Sequence, residues 1–393
     1  MSTQQAVVPL DWNPFDTTFI EDPYPFYRRL RNQAPAFWSE KFSLRVLSRF
    51  EDVQTAARDW RTYTSTLGLD LDQRSGEFLG MDFIGHDPPR HELMRDVVKG
   101  PFGSEAVKSR EAAIRARAEE LAGRHEPGVP FNLANEFAHE LPIATIAEML
   151  GLPPGDIREL SHHLLVFLEH TPGELTVSPR SRAAARTIRD YVSQQGAERR
   201  AQPRDDLLTA IAQARIDGQP FTDEEFGALG FWLFVAGTDT VTGLITNALY
   251  WLHQNPDQLQ LVINDPSLIP DAIEETLRYD PSLQHILRTT TREVELHGER
   301  MPSGTKVALS YGAANRDERR WDDPERFNIR REQKRNLAFA EGIHFCLGAY
   351  LARIEARVAL EVLLARMPNY EILRTERIVK ENQRGFRVFE LVY

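Results

Sequence analysis

The chain is expected to be mainly α-helical with small β-sheets, and three observations carry that expectation. Helical hydrophobic periodicity recurs along it; in Ser109–His125, "SREAAIRARAEELAGRH", Ala, Ile and Leu return at helical spacing. Phe221–Pro256 reads as one long helix whose middle is apolar nearly all round, so it should cross the interior. Strand-like runs, by contrast, are short and few.

Taken in order, Ser43–Phe50 is the first strand candidate. Leu67–Asp87 is long and poorly periodic, the mark of a functional loop. In "GHDPPRHELMRDVV", Asp87 is a plausible N-cap with Pro88 at the first helical position, and His91 and Arg95 follow on one face. Thr222 and Glu225 form a capping box at the start of the long helix. Glu275 and Arg278, three apart, share a helix face and can pair. Glu293–Met301 and Thr305–Gly312 read as strands, with a hairpin at "LHGERM" and a Pro-Ser-Gly turn after it. Behind Cys346 runs an amphipathic helix with Leu351, Ile354, Val358, Leu360 and Leu363 on one broad face, and Phe386–Tyr393 is a last strand. No repeat, low-complexity tract or flexible linker interrupts the chain, which is expected to be one domain over residues 1–393.

Hydrophobic residues make up 41% and charged residues 27%, the mix of a soluble protein with a sizeable core. A formal net charge of −11 argues against nucleic-acid binding, which needs basic patches. One cysteine cannot form an internal disulfide. The N-terminus lacks the pattern of a secretory signal, and the most apolar run, Leu229–Gly237, is too short to span a bilayer. The expectation is a cytoplasmic protein with no membrane partner.

That single cysteine stands in "FAEGIHFCLG", Phe339–Gly348. Cys346 can be read as a small buried apolar side chain, a catalytic thiol paired with a histidine, or a metal ligand. It lies at or just before a helix N-terminus, where N–H groups and the dipole favour a thiolate. Gly342 and Gly348 strip side chains from both sides, which permits close approach of something flat and large. Zinc is a poor fit, since His344 and Cys346 give two ligands and no second pair. A haem iron with a thiolate ligand needs both the bare surface and the anion.

The segment resembles the haem-binding signature Phe-x-x-Gly-x-His-x-Cys-x-Gly of the cytochrome P450 family, with Ala340 where the family more often has glycine. Glu275 and Arg278 resemble the family's Glu-x-x-Arg, and "ANRDERRWDDPERFNIRR" its meander, with Asn315, Arg316, Asp317, Pro324 and Phe327 in place. The resemblance implies a buried structural cluster of Glu275, Arg278 and Arg330. His91, Arg95, Arg288 and His344 match the family's propionate contacts, and cationic and N–H donors converging on two carboxylates make physical sense. "AGTDT" resembles the oxygen-binding groove, with Asp239 and Thr240 as the acid–alcohol pair for proton delivery. Thr240 can bond back to Ala236 where Gly237 weakens the helix. The matches run from Asp22–Arg31 to the C-terminus.

The resemblance thus implies the P450 fold, a long central helix across a haem pocket, and haem b (iron protoporphyrin IX) as cofactor. Cofactor contacts are expected from His91, Arg95, Ala236, Gly237, Arg288, Phe339, His344, Cys346 and Gly348, with Cys346 as the iron ligand. Trp232, Val235, Ala236, Gln284, Ile286 and Phe386 are expected to meet the substrate, as are parts of Leu67–Phe83 and Leu165–Val177. Arg74, His285 and Arg384 are candidates to orient a polar group, and Arg353 and Arg357 to meet an acidic partner. The implied activity is a monooxygenase that hydroxylates or oxidatively dealkylates a small-to-medium apolar or aromatic compound. Electrons would come from a separate ferredoxin and ferredoxin reductase, and the chain would act as a monomer. Two rivals keep the haem fold: peroxide-driven or other non-monooxygenase chemistry, and a non-catalytic haem sensor or carrier.

Overall fold

The computed structural model describes residues 10–71, 83–171, 174 and 176–393. Its centre is the helix Asp223–Gln254. The capping box forms: Glu225 N–H donates to Thr222 Oγ1 (3.2 Å) and Thr222 N–H donates to Glu225 Oε2 (3.0 Å). Phe226, Phe231 and Phe234 are wholly buried along it, each burial stabilising by roughly 2 kcal/mol. By length and composition this helix could cross a membrane, yet 78% of its apolar window is buried inside the protein.

The helices Pro179–Ala201, Glu140–Leu150, Ile269–Tyr279 and Ala349–Arg366 pack around it. Ala349–Arg366 buries Leu351, Val358, Leu360 and Leu363, as the periodicity requires, whereas Ile354 is only partly buried at the edge of the same core.

Beside the helices lies a five-stranded sheet in the order Ala36–Ser39, Leu44–Leu47, Lys306–Ser310, His285–Thr290, Tyr63–Thr64. The strand expected over Ser43–Phe50 is confined to Leu44–Leu47, because Phe50 already opens the helix Phe50–Arg58, its N–H held by Asp317 Oδ2 (2.8 Å). Glu371–Arg377, Phe386–Val392 and Phe131–Asn132 make a second sheet. The hairpin Val294–Leu296/Glu299–Met301 turns through His297 and Gly298, both at positive φ.

Two expectations about local structure are corrected. Asp87 does not cap a helix: that helix is Arg90–Val98, and the Asp87 carboxylate accepts from Thr64 Oγ1 and the Ser65 N–H instead. The buried cluster on Glu275 recruits Arg331, not Arg330. Glu275 and Arg278 pair through two bonds of 2.8 Å, and Glu275 Oε1 also accepts from the Asn328 N–H (2.8 Å) and Arg331 Nε (3.3 Å). A turn from Asn328 to Arg331 returns the chain to Glu275 three residues on, leaving Arg330 exposed.

Arg278 also donates to the carbonyls of Asn315, Pro324 and Arg326, tying the meander to the helix. Phe327 is buried in the main core, and Arg316 is sandwiched between the rings of Tyr24 and Tyr279.

Candidate active site

Between the central helix and the Cys346 segment lies a cleft with about 1350 Å³ of empty space, partly open to solvent. Trp232, Ala236, Gly237, Thr240, Val241 and Leu244 supply one wall; Phe339, Ala340, His344, Cys346, Leu347 and Gly348 supply the other. Phe83, Ile84, Leu283, Ile286 and Arg288 close the sides. Residues more than a hundred positions apart therefore converge on one space.

The Cys346 turn is built by the backbone. Cys346 N–H donates to Phe339 O (2.9 Å), and Ala340 and Gly342 both take positive φ, 57° and 69°. Gly342 does not bare a surface to the cleft: a side chain there would meet Ala57 O at 2.7 Å, so the glycine lets the turn sit on the neighbouring helix. At Gly348 an added carbon would meet nothing within 4 Å, so this residue does leave open space for a flat ligand. Burial pushes the Cys346 thiol up, opposed by the Gly348 N–H and by Arg95 and Arg353. Burial thus disfavours the thiolate, while the Gly348 N–H and the two arginines favour it.

Thr240 lines the cleft and its Oγ1 donates to Ala236 O (3.0 Å), while the helix runs unbroken through the segment. Gly237 also borders the cleft, but its missing side chain serves packing: an added carbon would press on Ile146 at 3.1 Å. Asp239 is buried beside the cleft rather than in its wall, with Oδ2 3.7 Å from Lys380 Nζ.

At one end of the cleft the polar groups gather. His91 and His344 rings stand 4.5 Å apart, and both ring nitrogens of buried His91 lack hydrogen-bond partners among the described residues. His344 Nε2 is 2.9 Å from Ser65 Oγ, a contact nothing in the motif announced. Arg95 donates to Phe345 O (2.6 Å) and buried Arg288 to Leu287 O (2.7 Å). Neither guanidinium has a carboxylate within ion-pair distance among the described residues. Burial, reinforced by Arg95, His86 and Arg288, pulls His91 down to about 4. Burial, with Arg288, His91 and Arg95, pulls His344 down as well. Donors and cations without an anion form a costly arrangement on their own and a fitting one for the two propionates of a haem.

A chain with this cleft has relatives. A model of the family described as Cytochrome P450 matches residues 177–368. The putative cytochrome P450 123 of Mycobacterium tuberculosis is 37% identical over 384 residues, covering 95% of this chain and 94% of its own.

This chain belongs to the cytochrome P450 family.

The cyclomarin C epoxidase CymV of Salinispora arenicola is 35% identical over 332 residues, 83% of this chain and 84% of that one. Among solved structures, the cytochrome P450 CYP109Q5 from Chondromyces apiculatus superposes with a TM-score of 0.88 at 30% identity, covering 98% of each chain. As a P450 the protein is a haem-dependent oxidoreductase of the monooxygenase family, and the donor set described above fits that cofactor.

The distal lining of this P450 differs from expectation at several residues. Trp232, Ala236 and Ile286 line the cleft. Val235, Gln284 and Phe386 do not. Val235 points into the helical core. Gln284 donates to Pro281 O (2.7 Å) and toward Tyr24 Oη (3.4 Å), bonds that hold it away from the cleft just before the strand His285–Thr290 begins. Phe386 packs on Tyr250 and under Arg377. Phe167 packs on Phe231, and Arg74 and Phe78 lie outside the described residues. His285 and Arg384 are buried and engaged, the first 2.6 Å from Glu381, the second on Asp280 and the Ile20 and Glu21 carbonyls. The cleft gains Phe102, Leu244, Tyr311 and Glu355, none of them in a motif. Glu355 repeats Leu351 at i+4 on the buried face of its helix, and that misplaced charge was the available signal.

Proposed function

We propose that this P450 is a monooxygenase acting on a small-to-medium apolar or aromatic compound, by hydroxylation or oxidative dealkylation, with electrons from a separate ferredoxin and its reductase. The observation that carries the reading is the placing of the Cys346 thiol and the Thr240 hydroxyl on opposite walls of one apolar cleft. When bound, the haem supplies the redox chemistry and the site of dioxygen activation. Cys346 would be its iron ligand, Arg288, Arg95, His91 and His344 the holders of its propionates, and Phe339 and Gly348 its contacts on the cysteine side.

The chain's own residues do the rest. Phe83, Trp232, Ile286 and Leu244 present hydrocarbon to the substrate and hold water back. Thr240 offers a hydroxyl whose proton is held on the Ala236 carbonyl, and buried Asp239 is one residue away to replenish it. Both features favour oxygen-dependent over peroxide-driven chemistry.

Electron delivery through Arg353 and Arg357 is less direct than their sequence position suggests. Arg353 is paired with Glu274, and Arg357 with Glu111 (2.7 Å) and Glu361 (2.9 Å), so an acidic donor would have to compete for them. A single domain acting as a cytoplasmic monomer completes the proposal.

The deciding experiment is the spectrum of the reduced protein under carbon monoxide, followed by turnover with a ferredoxin system against turnover with peroxide. A strongly red-shifted Soret band and faster ferredoxin-supported turnover are expected. A haem protein without the shift, or one that works only with peroxide, overturns the proposal.

A further inference from the structure

Tyr311 is wholly buried, lines the cleft, and has no hydrogen-bond partner for its hydroxyl among the described residues. A phenol placed so is costly unless something absent from the chain completes it.

Its place follows from the end of a strand. In the antiparallel pair Lys306–Ser310/His285–Thr290, Val307 lies opposite Arg288 and Leu309 opposite Ile286. Arg288 and Ile286 both line the cleft. Tyr311 is the next residue after Lys306–Ser310, opens the short helix Tyr311–Ala314, and stands in the cleft wall with Ile286 and Arg288. The ring packs in the small apolar cluster with Val307, Leu309, Ala314 and Leu337, against partly buried Ile286.

Burial pushes the Tyr311 phenol up, and the positive charge of Arg288 opposes it, so hydroxyl and guanidinium are electrostatic neighbours. Arg288 is buried too, and its only side-chain hydrogen bond among the described residues goes to Leu287 O. The two groups do not bond to each other. Arginine can only donate, and a phenol above its ordinary range is protonated and donates as well. Both facing the cleft, they suit a single carboxylate, whose two oxygens could accept from both.

Resting on the haem reading above, we propose that Tyr311 and Arg288 together grip one carboxylate, and that this carboxylate is a haem propionate. Tyr311 thereby joins His91, Arg95, Arg288 and His344 as a fifth side chain in the cofactor cradle. Being neutral, it adds a donor to a pocket already crowded with positive charge.

The variant is Tyr311→Phe, which keeps the ring and removes the oxygen. Haem transfer from the variant to excess apomyoglobin is expected about tenfold faster than from the unaltered holoprotein, the effect of one charge-assisted hydrogen bond. Reconstitution with haem dimethyl ester, whose propionates are uncharged, should bring the two rates together. The apoprotein's unfolding midpoint should be unchanged or higher, since the hydroxyl is unsatisfied without cofactor; a merely structural tyrosine would lower it. Equal haem-loss rates, or a ratio that persists with the dimethyl ester, would overturn the proposal. So would unchanged haem loss with weakened binding of carboxylate-bearing ligands alone, which would assign the carboxylate to the substrate. An unaltered protein that takes up no haem overturns the haem reading and this proposal together. Normal uptake and a red-shifted carbon monoxide band, with unchanged loss from the variant, overturn this proposal alone.

Discussion

Lys380 Nζ lies 3.7 Å from Asp239 Oδ2, both side chains only 9% exposed. The segment joining the last two strands thus reaches the one acidic residue in the middle of the central helix. The neighbouring Glu381 is 2.6 Å from buried His285 and accepts from the Leu71 N–H (3.2 Å). The same few residues therefore hold the proton-donor candidate, the strand that lines the cleft, and the backbone at Leu71.

Lys380→Met should leave a buried carboxylate with less compensation. A loss of about 1–3 kcal/mol is expected, below the usual cost of breaking a buried pair because the contact is long and lacks a hydrogen bond. Equilibrium denaturation measures it. Asp239→Asn in the Lys380→Met background should then cost less than in the unaltered protein; additive losses would show that the pair is not coupled.

Thr240→Ala should keep haem and substrate binding but release more of its reducing equivalents as peroxide. Asp239→Asn should slow turnover mainly through proton supply, read as a changed solvent isotope effect. Product-to-peroxide ratios equal to those of the unaltered protein would show that protons arrive by another route.

Glu275→Ala should abolish haem incorporation, because it strands Arg278 among buried carbonyls and frees the Asn328 N–H, a loss of about 3–5 kcal/mol. Arg331→Ala should cost about 1–2 kcal/mol, and Arg330→Ala, at an exposed side chain, less than about 0.5 kcal/mol. Holoprotein yield and denaturation midpoints rank the three. Equal effects at 330 and 331 would contradict the observed cluster.

Glu355 is wholly buried on the helix behind Cys346, and burial pushes it up to about 8, with Thr145 opposing. Its folded pKa exceeds the unfolded value of 4.5, so the native state holds the proton more tightly. That stabilisation is full below about 4.5 and is lost as pH rises through about 8, by at most about 5 kcal/mol. The buried histidines work in the opposite sense at lower pH: His91 and His139, both pulled down to about 4, favour folding as pH rises from there toward 6.5. Glu355→Gln isolates the carboxyl, and its stability should fall less steeply between pH 5 and 8.5. Parallel curves would show that Glu355 is already ionised.

Ala340 holds φ at 57° in the turn before the cysteine, a conformation that costs a side-chain-bearing residue about 1–2 kcal/mol. Ala340→Gly removes that strain and adds unfolded-state entropy, so a net gain of about 0.5 kcal/mol is expected. A lower melting midpoint would mean that the methyl group, which borders the cleft, packs on the cofactor strongly enough to outweigh the strain.

Local signals carried much of this protein. Capping residues and an all-round apolar run specify the central helix, since a helix closes its hydrogen bonds within itself. The spacing around Cys346 likewise identifies the family, because the turn depends on nearby backbone. Tertiary structure decided what depends on partners far along the chain. His285–Thr290 becomes a strand by pairing with Lys306–Ser310 and with distant Tyr63–Thr64, and Ala36–Ser39 and Glu371–Arg377 by pairing with the next strand in the chain, none of them by its own pattern. Arg331 replaces Arg330 because a turn sets which side chain returns to Glu275. Gln284 and Phe386 turn away from the cleft while Tyr311 and Glu355 enter it, since facing is set by hydrogen bonding and packing against neighbours. Lys380 meets Asp239 only because two segments 141 positions apart are packed together. A sequence names the side chains that can do chemistry; the packing of distant segments decides which of them share a space.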